Sequence, residues 1–129
     1  MQKTCETNTV LIIEDEVDVR NFASRVLELE GYHVLWAGDV DTGLRLAREN
    51  QVALVLLDLR LPNRSGWAVL VLMKSEPEVS AIPIIVFTAS AGVIQRERAL
   101  KMGAADYLVK PLSAASLKTA VGNILQPRR

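Results

Sequence analysis

Four short apolar runs each end on a polar residue able to do chemistry. Val10-Leu11-Ile12-Ile13 leads into Glu14, Asp15 and Glu16, and Ala53-Leu54-Val55-Leu56-Leu57 into Asp58. Pro83-Ile84-Ile85-Val86-Phe87 leads into Thr88, and Asp106-Tyr107-Leu108-Val109 into Lys110. Carboxylates at positions 14, 15 and 58, if brought together, would repel one another. A hard divalent cation with oxygen ligands relieves that repulsion, and Mg2+ held by one or two carboxylates plus a phosphate is a common arrangement. Lys110 offers a point charge for phosphate oxygens, and Thr88 a hydroxyl donor. A carboxylate nucleophile, a metal, an ammonium and a hydroxyl together suit phosphoryl transfer to a carboxylate. Taken singly, each is an ordinary strand-end residue, and Asp58 could simply cap its loop. One such group at each of four strand ends is the pattern that joins them.

Bringing these groups together requires strands whose carboxyl ends share an edge. Short continuous apolar runs bounded by turn signals read as strands buried on both faces. Val10–Ile13, His33–Ala37, Leu54–Asp58, Pro83–Thr88 and Asp106–Val109 fit that description. Helical periods lie between them: from Val17 to Gly31 with Asp15 or Glu16 as cap, from an Asp39 cap to about Asn50, and from Gly66 to about Ser75. Two more run from Ser90 to Met102, closed by Gly103, and from a Ser113 cap to a stop before Pro127. Strands alternating with helices predict an α/β fold, doubly wound, with a parallel sheet covered on both faces. In such a sheet ligands bind outside the carboxyl ends of the strands.

The chain of 129 residues fits one domain, and 50% hydrophobic residues can fill a core that is aliphatic, since aromatics are only 5%. Fifteen basic and fifteen acidic residues balance to zero, which argues against nucleic-acid binding by clustered basic charge. The single Cys5 cannot form an internal disulfide and fits a reducing compartment. The first eight residues carry no apolar signal region, and no apolar run reaches membrane-spanning length. A cytoplasmic location without membrane insertion is the expectation.

The stretches VLIIEDE at 10–16, LVLLDLRLPNRSG at 54–66, IIVFTAS at 84–90 and GAADYLVKP at 103–111 resemble, in order and spacing, the receiver domain of two-component response regulators. The resemblance covers about Thr9 to Gln126, so residues 9–126 are expected to form the domain, with 1–8 and 127–129 as short tails. It implies a flavodoxin-like, CheY-like fold of five βα units with strand order 2-1-3-4-5. It implies that Asp58 accepts a phosphoryl group from a sensor histidine kinase or a histidine phosphotransfer protein. Asp15, Asp58 and the backbone carbonyl of Arg60 would ligate Mg2+, with Glu14 helping through a metal-bound water. Lys110 would pair with the phosphoryl group, Thr88 would move to hydrogen-bond it, and Tyr107 would be the aromatic that swings inward in response. The Lys110–Pro111 bond is often cis in the family. A downstream protein target is implied, with the fourth helix, fifth strand and fifth helix as output face; the chain could equally be a receiver from a larger regulator or hybrid kinase.

Arg60 and Ser90 occupy the two positions that flank the attacking water in that family and tune the lifetime of the phosphoryl group. Neither readily orients water, so self-dephosphorylation is expected to be slow, with Arg60 shielding or pairing with the phosphoryl group; alternatively Arg60 points to solvent or pairs with Glu14. In the third helix, Trp67 to Met73 are all apolar, although Val69, Leu70 and Met73 suffice for a buried stripe. Ala68 with Leu72 and Trp67 with Val71 would lie outside, either as a homodimer or kinase contact or as part of a wider buried stripe. His33 lacks ligand partners nearby. Trp36 reads as cover for a core edge, and Arg96, Arg98 and Lys101 as a solvated face or as part of the output surface. Two rivals remain. A phosphatase of the haloacid dehalogenase type would want an acid two residues after Asp58, where Arg60 stands. A degenerate receiver, binding proteins without phosphorylation, is opposed by the presence of Asp15, Asp58, Thr88 and Lys110 together.

Overall fold

A computed structural model describes residues 8–61, 65–89 and 92–125. The expected turn at Pro62 and Asn63, as well as Ser90, Cys5, Pro127 and the tail segments 1–7 and 127–129, lie outside the described residues. The elements are β1 (Thr9–Ile13), α1 (Val17–Leu29), β2 (His33–Ala37), α2 (Val40–Glu49), β3 (Leu54–Asp58), α3 (Gly66–Ser75), β4 (Ile84–Thr88), α4 (Val93–Lys101), β5 (Asp106–Val109) and α5 (Ala114–Ile124). All strand pairs are parallel, in the order β2-β1-β3-β4-β5 that the resemblance implied.

Side-chain alternation along the central strands builds two cores. Leu11, Ile13, Val55, Leu57, Ile84 and Val86 face α2, α3 and α4. Val10, Ile12, Leu54, Leu56, Ile85 and Phe87 face α1 and α5. Because β1, β3 and β4 are buried on both faces, their sequences show no polar position between Thr9, which opens β1, and the carboxyl ends, and those ends open on one rim.

Caps fix where the helices begin. Asp39 accepts the Thr42 N–H at 2.8 Å, Ser65 accepts the Trp67 N–H, and Ser113 accepts the Ser116 N–H. At α1 the expectation fails in detail: Glu16 occupies the cap position, but its side chain makes no capping bond. Its carboxylate is drawn instead to an ammonium on β5's far end, described below. Helix α1 ends at Leu29, and Gly31 turns the chain with φ +95°. Helix α4 begins at Val93, three residues after the expected Ser90.

One surface expectation is corrected and two are narrowed. Trp36 does not cover a core edge; it is 54% exposed on the edge strand β2, with the Arg20 guanidinium 3.6 Å from its ring centroid. On α3, Val69, Leu70 and Met73 are buried as expected, but Trp67 and Leu72 are half-buried against the core, leaving Ala68 and Val71 exposed. The basic side of α4 is partly engaged: Arg98 stacks 4.2 Å from the Trp67 ring centroid, and Arg96 donates to the Tyr107 carbonyl at 3.4 Å.

Candidate functional site

The ends of β1, β3, β4 and β5 bring Glu14, Asp58, Thr88 and Lys110 together. Asp58 closes β3 and is 1% exposed. Its Oδ1 accepts the Arg60 N–H at 3.0 Å, and its Oδ2 accepts from Lys110 Nζ at 3.4 Å. Gly66 makes the approach possible: a Cβ there would lie 2.6 Å from the Asp58 carbonyl oxygen and against the Leu59 backbone. Thr88 ends β4 at 2% exposure, and its carbonyl accepts the Lys110 N–H at 2.8 Å, which sets the register of β5's exit. The following Lys110–Pro111 bond is cis.

Glu14 is wholly buried, whereas its neighbour Asp15 is exposed. Glu14 Oε2 accepts the Glu16 N–H at 2.9 Å. Its Oε1 lies 2.9 Å from Lys110 Nζ, an ion pair outside hydrogen-bond geometry, and among the described residues it has no hydrogen-bond partner. Burial pushes the Glu14 carboxyl up to about 7; the Glu16 N–H and Lys110 pull it down, and the charge of Asp58 adds to the rise. Burial would lower Lys110, but the carboxylates of Glu14 and Glu16 and the charge of Asp58 outweigh it, holding the ammonium above the usual lysine range.

Carboxylate oxygens of Glu14, Asp15 and Asp58 all lie within 4.8 Å of one another. Three clustered acids sharing one ammonium fit a hard divalent cation better than they fit that ammonium alone. Asp15 and Asp58 line, with Glu16, Arg60, Ala89 and Lys110, a cleft of about 370 Å³. Arg60 is exposed on its rim. Tyr107 is 4% exposed, packed inside the α2–α4 side core. A second, mostly apolar cleft of about 450 Å³ adjoins Lys110, between Val19 and Phe22 of α1 and Pro111 and Leu112. Phe22 is 41% exposed there.

Two participants were missed from sequence. Glu16 Oε1 pairs with Lys110 Nζ at 3.1 Å, and the Arg20 guanidinium donates to the Glu14 carbonyl at 3.3 Å. Glu16 had a signal, since it completes the acidic run after β1. Arg20 had none beyond its place one turn into α1.

The arrangement supplies a carboxylate nucleophile, a cation-fitting acid cluster and an ammonium on one open rim. A family model described as response regulator receiver domain matches residues 10–122. The chain is 33% identical over 117 residues to the phosphate regulon transcriptional regulatory protein PhoB of Klebsiella pneumoniae, covering 91% of this chain and 51% of that protein. It spans about half the length of the curated relatives it matches. Among solved structures it is similar to a CheY-like response regulator receiver domain protein from Methanospirillum hungatei, with TM-score 0.83, 26% identity, and 94% and 95% of the two chains covered. It is also similar to the receiver domain of sensor histidine kinase PA1611 from Pseudomonas aeruginosa, solved with a magnesium ion coordinated in its active site cleft, with TM-score 0.83, 27% identity, and 95% and 100% covered. The matched family model over residues 10–122 and the shared fold lead to one conclusion: the chain belongs to the response regulator receiver domain family of two-component systems.

Proposed function

We propose that this chain is a phosphoacceptor switch in a phosphorelay, with Asp58 as the acceptor. An Asp58 carboxylate oxygen attacks the phosphorus of a phosphohistidine on a sensor kinase or phosphotransfer protein. The P–N bond breaks, the imidazole keeps its electron pair, and it takes a proton from solvent. The observation that carries this reading is the position of Asp58: at the floor of an open cleft, with Oδ2 3.4 Å from Lys110 Nζ. Asp15, Asp58 and the Arg60 carbonyl would hold Mg2+, with Glu14 acting through a water; the clustering of the three carboxylates within 4.8 Å supports this assignment. When bound, the ion neutralises charge on the transferring phosphoryl oxygens.

The other residues act around that step. Lys110 holds the phosphoryl group by charge once it is on Asp58. Thr88 turns to hydrogen-bond it, and Tyr107 occupies the interior behind Thr88, a position supported by its burial in this structure. The output face is α4–β5–α5, supported by the exposed apolar side chains of Ile94, Leu100 and Val109. It is better supported than a homodimer through α3, where Trp67 and Leu72 are half-buried. The apolar cleft beside Lys110 supports docking of the phosphodonor protein next to the acceptor. Zero net charge supports protein contact rather than nucleic acid as this chain's output, in the cytoplasm with its donor. The chain acts as a signalling switch and not as a turnover enzyme.

Incubation with Mg2+ and acetyl phosphate, followed by intact mass, tests the reading. One phosphoryl group should be gained by the native chain, and none by Asp58→Asn or without Mg2+. No gain under any condition would favour a degenerate binding module instead.

A further inference from the structure

Among the three clustered acids Glu14, Asp15 and Asp58, Asp15 is distinctive, because it is exposed and its position follows from the backbone leading into it. Glu14 and Asp58 are different: both are buried, and each is tied by a backbone N–H and by Lys110. The backbone before Asp15 is held on two sides. The Glu14 N–H donates to the Ala37 carbonyl at 2.9 Å, anchoring it to the end of β2. The Glu14 carbonyl, the oxygen of the peptide that joins Glu14 to Asp15, accepts from Arg20 Nη1 at 3.3 Å.

Arg20 is itself seated. Its guanidinium carbon lies 3.6 Å from the Trp36 ring centroid, and Nη1 sits beside Gly38, where a Cβ would come within 3.6 Å. Its Nε is buried and, among the described residues, has no hydrogen-bond partner. The side chain therefore keeps a donor from water in order to lie between the Trp36 face and the Glu14 carbonyl. This also accounts for an exposed tryptophan on an edge strand.

We infer that Arg20, seated on Trp36, is a positioning residue for Asp15: it fixes the Glu14 carbonyl and so the peptide plane that aims Asp15 into the cleft. The inference rests on reading that cleft as a Mg2+ site. Partners one layer out from a ligand orient it and commonly contribute tenfold or more to metal affinity.

The test is divalent-cation affinity, with Mn2+ followed by the EPR signal of the free ion and Mg2+ as competitor. Metal-free melting is recorded beside it. Arg20→Met keeps an apolar chain on Trp36 but loses the donor and the charge. We expect it to weaken binding about tenfold with the melting temperature little changed. Trp36→Leu should weaken binding in the same direction. Charge alone predicts the opposite sign, because removing a cation near three carboxylates should tighten binding. Affinity unchanged or tighter in Arg20→Met overturns the inference, as does a loss of melting temperature with affinity intact. Unchanged affinity in Trp36→Leu overturns the seat. A native chain that binds neither ion would overturn both this inference and the metal assignment.

Discussion

Glu14 and Lys110 pair at 2.9 Å across the strand ends, with the carboxylate wholly buried and the ammonium side chain 16% exposed. The buried partner bears most of the cost. Unfolded, Glu14 ionises near its ordinary 4.5, and folded near 7, so between those values the folded chain holds the extra proton. Its contribution to stability is therefore complete below 4.5 and lost as pH rises through 7. The loss should reach at most about 3 kcal/mol. The urea-unfolding profile of Glu14→Gln against pH, subtracted from that of the metal-free native chain, should show that downward slope. Mg2+ should restore stability near pH 8 and little near pH 5, where it competes with the proton. Parallel profiles for the two chains would contradict the account.

Gly66 and Gly122 should respond in opposite directions to alanine. At Gly66 a Cβ meets the Asp58 carbonyl and the Leu59 backbone, neither of which can yield cheaply. Gly66→Ala should cost about 2 kcal/mol or more and disturb the cleft. At Gly122, inside α5, a Cβ meets nothing within 4 Å. Gly122→Ala should stabilise by about 0.5–1 kcal/mol through helix propensity. Denaturant midpoints of the two variants decide both.

Asp39 fixes the start of α2, accepting the Thr42 N–H and the Thr42 hydroxyl. Asp39→Ala should cost about 1 kcal/mol near neutral pH. The Thr42 N–H holds the Asp39 carboxyl below its usual 3.8. That contribution is thus present above 3.8 and fades as pH falls through the lower folded value. The gap in melting temperature between native and Asp39→Ala chains should narrow in strong acid. A constant gap would mean the cap acts without its charge.

Arg98 on α4 and Trp67 on α3 are joined by stacking at 4.2 Å. In a Trp36→Phe background, Trp67 is the only tryptophan. Its emission should change when Arg98→Ala removes the guanidinium, at a stability cost of about 0.5–1 kcal/mol. Phosphorylation should change it too, if the output face shifts α4. Emission identical with and without acetyl phosphate, at full phosphoryl occupancy, would place the switch elsewhere.

Arg60 stands exposed on the cleft rim beside Asp58, where it can either shield a phosphoryl group or face solvent. Arg60→Ala should shorten the phosphoryl half-life about tenfold, equivalent to about 1.4 kcal/mol in the hydrolysis barrier. Decay followed by intact mass after removal of the donor measures it. An unchanged half-life would leave Arg60 as a solvent-facing residue.

The strands were legible because burial on both faces demands unbroken apolar runs, and each run stops where the rim begins. Asp58, Thr88 and Lys110 stood out for the same reason: they are the first polar residues after such runs. Contacts between elements were not legible. Nothing local tells Glu16 to leave its own helix end for Lys110, or Arg20 to lie on Trp36. Trp67 looked outward by helical spacing alone, yet it sinks against the core, with Arg98 from the next helix over its ring. The start of α4 was misplaced because Ser90 resembles a cap, whereas Gly92 holds that position.

The pairing of Glu16 with Lys110 joins residues 94 positions apart in sequence. The rim is therefore assembled only when β1 and β5 have both taken their places in the sheet. A partly folded chain, whichever end forms first, has no acid cluster with its ammonium. On the function proposed above, competence to take a phosphoryl group would then report that both ends of the domain have folded together.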